Sequence, residues 1–178
     1  MNCNVNLIIE DDRWLHDNDS DFWQMHFNKI FKLICGDEDI VKSSFETEID
    51  FSEIENSHIE INLLLTNDEA ITELNEKFRY KNTATNVLSF PQHENICNID
   101  TIFRQDEILL GDIAMSFETI MRESNEVVVD FFDRCLHLFA HGVLHTLGMD
   151  HISDDDAKKM ENTEANILKL VNIKNPYI

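Results

Sequence analysis

The segment DFFDRCLHLFAHGVLHTLGMDH, Asp130 to His151, decides what kind of molecule this is. Leu136, Phe139, Ala140, Val143 and Leu147 recur at the spacing of one helical face, so a helix over 130–147 buries that face in a core. His141 and His145 stand four residues apart on a neighbouring stripe. They are separated by about 40° around the axis and one turn along it, so both rings can chelate one ion. Gly148 can leave the helix through a left-handed turn that costs other residues energy, and that turn brings His151 to the same ion.

Three imidazoles leave a fourth coordination position for water. That is the arrangement of catalytic zinc, whereas structural zinc usually has four protein ligands, commonly with cysteine. We therefore expect one zinc per chain, although nickel, copper and iron also suit imidazole. The spacing is that of the metzincin peptidases, H-E-x-x-H-x-x-G-x-x-H, in which the glutamate after the first histidine is the general base. Here Gly142 occupies that position and can neither take nor return a proton, which makes a zinc peptidase the alternative reading.

Working outward, Val5 to Glu10 reads as a strand. Ser20 to Cys35 carries Phe22, Trp23, His26, Phe27, Ile30, Phe31 and Ile34 at helical spacing, capped by Ser20 or Asp19 and stopped at Gly36. The acidic stretch 37–55 is weakly periodic. His58 to Thr66 alternates as a strand, and Thr66 or Asn67 caps a helix running to about Phe78. Asn86 to Phe90 is a strand ended by Pro91, 92–107 a long loop, Leu109 to Ser116 a strand, and Phe117 to Glu123 a helix. A last helix covers 155–171. Strands early and helices late, without regular alternation, predict an α+β fold: a small mixed sheet with helices packed on it and the zinc site at the end of a long helix.

With 178 residues and 43% hydrophobic composition the chain suits one domain spanning 1–178. No run nears the roughly 18 apolar residues of a membrane span, and the opening lacks the features of a secretion signal, so we expect a cytoplasmic protein with no membrane partner. Cys3, Cys35, Cys97 and Cys135 are scattered, as suits reduced thiols. Thirty-five acidic against 14 basic residues give a net charge of -21, which disfavours nonspecific adhesion to polyanions but is compatible with a local cationic groove.

HGVLHTLGMDH resembles the H-G-x-L-H-x-x-G-x-D-H signature of the YbeY family of metal-dependent endoribonucleases. LNEKFRYKNTATNVLSFP, Leu74 to Pro91, resembles that family's block of an arginine followed by T-[DN]-V-L-S-F-P, and LLGDIAMS its G-D-I strand. DHISDDDAKKME and the closing NPY are also similar. The resemblance runs from Ile61 to Tyr177, departing at Ala84, where proline is frequent, and at Met149, where an aromatic is usual.

The resemblance implies a single-strand-specific endoribonuclease acting in 16S rRNA 3′ end maturation and ribosome quality control, with single-stranded RNA, ribosomal RNA and the small ribosomal subunit as partners. Arg79 matches the family's arginine. Phosphodiester hydrolysis builds charge on non-bridging oxygens, which zinc and a guanidinium can stabilise together. The nucleophile is either a water or the RNA's own 2′-hydroxyl. His137, one turn before His141, can relay protons or orient a ligand. Asp150 either supports His151 or caps the next segment, and Asp112 suits a structural bond. Ser89 and Ser116 have no visible base. A ribosome-binding factor with structural zinc is a third reading, disfavoured by the open coordination position.

Overall fold

The computed structural model describes residues 2–45, 57–92 and 107–178. Apolar and polar side chains alternate along β1 (Asn2–Ile9) and β2 (His58–Thr66), giving each strand one face to bury, and the two pair in parallel with Val5 beside Ile61 and Leu7 beside Leu63. β3 (Val87–Pro91) runs antiparallel to β4 (Glu107–Ser116), which is itself parallel to β2. The result is a mixed sheet in the order β1-β2-β4-β3.

Ile108 and Leu110 enter the core from one end of β4, and Ile113 and Met115 from the other. A regular strand would turn these two pairs to opposite faces, so an extra residue must intervene. It lies at Leu110 and Gly111, since Glu60 pairs with Leu109 and Asn62 with Asp112, leaving two residues opposite Ile61. Gly111 takes φ 153°, and a Cβ there would stand 2.3 Å from the Phe90 carbonyl oxygen. No other residue fits this bulge.

α1 (Ser20–Cys35) covers the inner face of the sheet with Trp23, Phe27, Ile30, Phe31 and Ile34, and its cap is Asp19, which accepts the Phe22 N–H at 2.8 Å. It ends at Gly36 in a right-handed conformation, φ -83°, so the glycine serves there not for a left-handed turn but for space, since a Cβ would stand 2.9 Å from the Lys32 carbonyl oxygen. The weakly periodic acidic stretch contains α2 (Glu38–Phe45), started by Asp37 accepting the Ile40 N–H and anchored by buried Val41. The remainder of that stretch and 93–106 of the expected loop lie outside the described residues.

α3 (Asp68–Arg79) is capped by Asn67 and packs Ile71 against Leu88 and Ala114 on the opposite face of the sheet. α4 (Phe117–Val127) runs one turn beyond Glu123. α5 (Phe131–Thr146), capped by Asp130, lies beside α1 and along β3 and β4, with Leu136, Phe139, Ala140 and Val143 buried as its periodicity requires. α6 (Asp154–Leu170), capped by Ser153, packs on the far side of α5 through Met160, Ile167 and Leu168. The fold is thus α+β, and a histidine cluster sits at the C-terminal end of α5.

Candidate metal centre

α5 stops where Gly148 adopts φ 91°. The Gly148 N–H bonds the His145 carbonyl at 3.0 Å and the Met149 N–H bonds the Leu144 carbonyl at 3.0 Å, the paired bonds of a left-handed helix stop. This turn swings His151 back over the helix. Its ring centroid lies 5.6 Å from that of His141 and 5.0 Å from that of His145, and one ring nitrogen of each histidine falls within 4.8 Å of the others.

Hydrogen-bond partners assign the ring protons. His141 Nδ1 faces a carboxylate oxygen of Glu164 at 2.9 Å and His145 Nδ1 faces the Met149 carbonyl at 2.9 Å; both partners can only accept, so both Nδ1 atoms carry the hydrogen. In the neutral rings the Nε2 atoms of His141 and His145 are then the bare nitrogens, and they approach to 3.0 Å. Two lone pairs so aimed repel unless a cation stands between them. Tetrahedral zinc, with Zn–N of about 2.0–2.1 Å, would hold such nitrogens about 3.3 Å apart, so the donor set fits a metal ion. Burial, reinforced by the facing His141 and His151, lowers His145 to about 4, which keeps it a neutral donor at pH 7.

Behind His141 stands Glu164 of α6, which is 1% exposed. It accepts from His141, from His137 Nε2 at 2.7 Å and from the Tyr177 hydroxyl. Burial pushes its carboxyl up, but the hydrogen bonds from His137 and His141 outweigh burial and hold it at about 2. His137 Nδ1 receives the Arg134 Nη1–H at 3.2 Å, and Arg134 pairs with Glu123 at 2.8 Å. Glu123 in turn accepts from Asn86 at 2.9 Å, so a continuous polar chain leads back to the rim of the site. His137 therefore does not reach the cleft; it meets His141 only through Glu164.

The three histidines open onto a cleft of about 440 Å³, also lined by Arg79, Asn86, Ser89 and Asp150. Arg79 is exposed and its Nη2–H donates to the Ser89 carbonyl at 3.0 Å, leaving other guanidinium hydrogens to face the cleft. Lys77 and Lys81 do not line it. Asp150 accepts its neighbour's backbone, the His151 N–H at 2.7 Å, and so shapes the turn. Asp112 is exposed and bonds the Asn62 side chain at 2.7 Å, on a strand face that the apolar run around it does not reveal. At Gly142 a Cβ would meet Ile113 Cδ1 at 2.9 Å and Ser89 Oγ at 3.1 Å, so the position of the peptidase glutamate faces the sheet closely, and a side chain there requires Ile113 to shift.

The sequence reading missed Glu164, Tyr177 and the Met149 carbonyl. Glu164 is flagged by its place on the apolar face of α6, with Met160 four residues before it and Ile167 and Leu168 just after. A carboxylate there needs partners.

A family model described as endoribonuclease YbeY matches residues 27–172, beginning well before Ile61. A Bartonella henselae protein named endoribonuclease YbeY is 32% identical over 173 residues, covering 97% of this chain and 96% of its own. One of the same name from Bartonella bacilliformis is 42% identical over 118 residues, covering 66% and 72%. A solution structure of a Thermotoga maritima protein superposes with TM-score 0.56 at 20% identity, covering 94% of this chain and 88% of that one, a likeness of fold.

Proposed function

The chain belongs to the YbeY endoribonuclease family, and on that footing we propose that it is a zinc-dependent, single-strand-specific endoribonuclease. Its substrate is ribosomal RNA, at the 3′ end of 16S rRNA, met in the cytoplasm with the small ribosomal subunit as partner. The observation that carries the reading is the convergence, in one open cleft, of three imidazoles with a guanidinium.

His141, His145 and His151 would hold one zinc, which when bound supplies Lewis acidity to a phosphoryl oxygen. Glu164 and the Met149 carbonyl retain the Nδ1 hydrogens and so present the two Nε2 lone pairs. His137 acts through Glu164 as a positioning residue. Arg79, tethered to the Ser89 carbonyl, binds a non-bridging phosphate oxygen as charge gathers there. Gly142 offers no proton acceptor, which leaves peptide hydrolysis without its base.

The test is cleavage of a labelled, unstructured RNA at fixed low salt by zinc-loaded and chelator-stripped protein, with folding followed by circular dichroism. The expected result is cleavage by the loaded protein alone, with both forms folded and neither cutting casein. No cleavage by the loaded protein, with or without small ribosomal subunits, would overturn the reading. Unfolding on zinc removal would favour a structural metal.

A further inference from the structure

In a chain of net charge -21, the five residues Lys77-Phe78-Arg79-Tyr80-Lys81 carry three of the 14 basic side chains and alternate them with two aromatic rings. The acids of α3, Asp68, Glu69, Glu73 and Glu76, all precede this stretch. Among the described residues, none of the three cations forms an ion pair. The helix dipole favours bases in the last turn and so accounts for Lys77 and Arg79. It does not account for Tyr80 or Lys81, which lie past the helix end.

Tyr80 is 92% exposed and its backbone is left-handed, φ 58°. A glycine would take that conformation freely, whereas a side chain enters it at a cost. The cost is not recovered by packing, since the ring meets almost nothing of its own chain. The position is nonetheless firmly held: the Tyr80 N–H bonds the Glu76 carbonyl at 3.1 Å and the Lys81 N–H bonds the Asn75 carbonyl at 3.2 Å. Buried Asn75 also donates its side-chain amide to the Thr83 carbonyl at 2.7 Å. A strained aromatic displayed on a fixed turn, beside cations and next in the chain to a residue of the cleft, has the makings of a contact for something outside the molecule.

We infer that Tyr80 is a base-stacking platform for single-stranded RNA, with Lys77, Arg79 and Lys81 taking the adjoining phosphates. This rests on the ribonuclease reading above. Every base has a π-face, so such a platform is sequence-tolerant, and it accepts a base only when the base is free of a duplex. The preference for single strands would then reside at this turn, outside the histidine centre. Phe78, 53% exposed, lies edge-on to Phe90 at 5.1 Å, and the Lys77 ammonium stands 5.0 Å over its ring.

The experiment compares zinc-loaded wild type, Tyr80→Gly and Tyr80→Phe for binding to a short labelled oligouridylate made resistant to cleavage by 2′-O-methyl and phosphorothioate groups. An abasic strand of equal length serves as the second ligand. Tyr80→Gly is expected to bind the base-bearing strand about 5- to 150-fold more weakly, the range for loss of one stacked base. Tyr80→Phe should stay near wild type, and all three should bind the abasic strand alike. Tyr80→Gly should melt no lower than wild type, because glycine relieves the left-handed backbone. Equal affinity of wild type and Tyr80→Gly for the base-bearing strand, or an equal loss on the abasic one, would overturn the platform while leaving the nuclease intact. A wild type that neither binds nor cleaves RNA would defeat the ribonuclease reading and the platform with it.

Discussion

Replacing Glu164 by glutamine keeps its volume but removes a charge and one of two acceptor oxygens, and the geometry says where the loss must fall. The native carboxylate receives three donors: His137 Nε2–H at 2.7 Å, His141 Nδ1–H at 2.9 Å and the Tyr177 hydroxyl. If the carboxamide turns its oxygen to His141, its NH2 opposes the His137 hydrogen. That ring cannot escape by moving the proton to Nδ1, which faces Arg134 Nη1–H at 3.2 Å. If instead the NH2 faces His141, the proton of that ring must shift to Nε2, the atom aimed at His145, and the ring cannot ligate. Either arrangement weakens the centre, by about 10- to 100-fold in zinc affinity for a group that orients a ligand. That corresponds to about 1.4–2.7 kcal/mol. Competition with a chromophoric chelator measures the affinity, and the d–d spectrum of the cobalt-substituted protein reports ligand geometry. Wild-type affinity and an unchanged cobalt spectrum in a folded Glu164→Gln protein would refute the coupling of α6 to the metal.

Substituting His141, His145 or His151 by alanine should bring zinc from near one equivalent per chain towards zero, measured by atomic absorption; undiminished metal in all three variants would remove the site. Arg79→Ala should retain zinc and fold while slowing RNA cleavage by about 10² to 10³, with Arg79→Lys recovering only part, because an ammonium cannot make the bidentate phosphate contact. Without metal, stability should fall on acidification in two stages. The unfolded His145 takes a proton near 6.5 and the folded one only near 4, so between these the unfolded state holds the extra proton and folding loses at most about 3 kcal/mol. Glu164, depressed from 4.5 to about 2, contributes stability that is present above the upper value and lost towards the lower. Urea titrations across this range check both; a flat profile between pH 6.5 and 4 would contradict the assignment for His145.

Legibility differed sharply between elements. The strand at His58–Thr66 and the helix at Ser20–Cys35 could be read to the residue, because strict alternation and an aromatic stripe each admit one geometry. The bulge in β4 could not, since LLGDIAMS reads as alternating until the pairing partners of Leu109 and Asp112 are known. α2 stayed hidden in an acidic stretch of weak periodicity, although its Val41 is buried in the core. At the candidate site, the three clustered histidines were local in sequence and so visible. Glu164 was masked by Asp154, Asp155, Asp156 and Glu161 on the same helix, which made it look like one more solvated acid. His137 shared the right stripe, but helix periodicity does not say how far along the stripe the ion sits.

The left-handed stop at Gly148 has a consequence for how the protein comes together. His141, His145 and His151 lie within one helix end and its turn, and the Met149 carbonyl that holds His145 belongs to that same turn. Contacts of such short range close on the timescale of helix formation and need no sheet. Arg79 is tethered to β3 and meets the histidines only when α5 packs on that strand, a meeting of distant segments that closes more slowly. The three histidines can therefore gather before the cleft is complete, and the Arg79 guanidinium joins them only when the helix docks on the sheet.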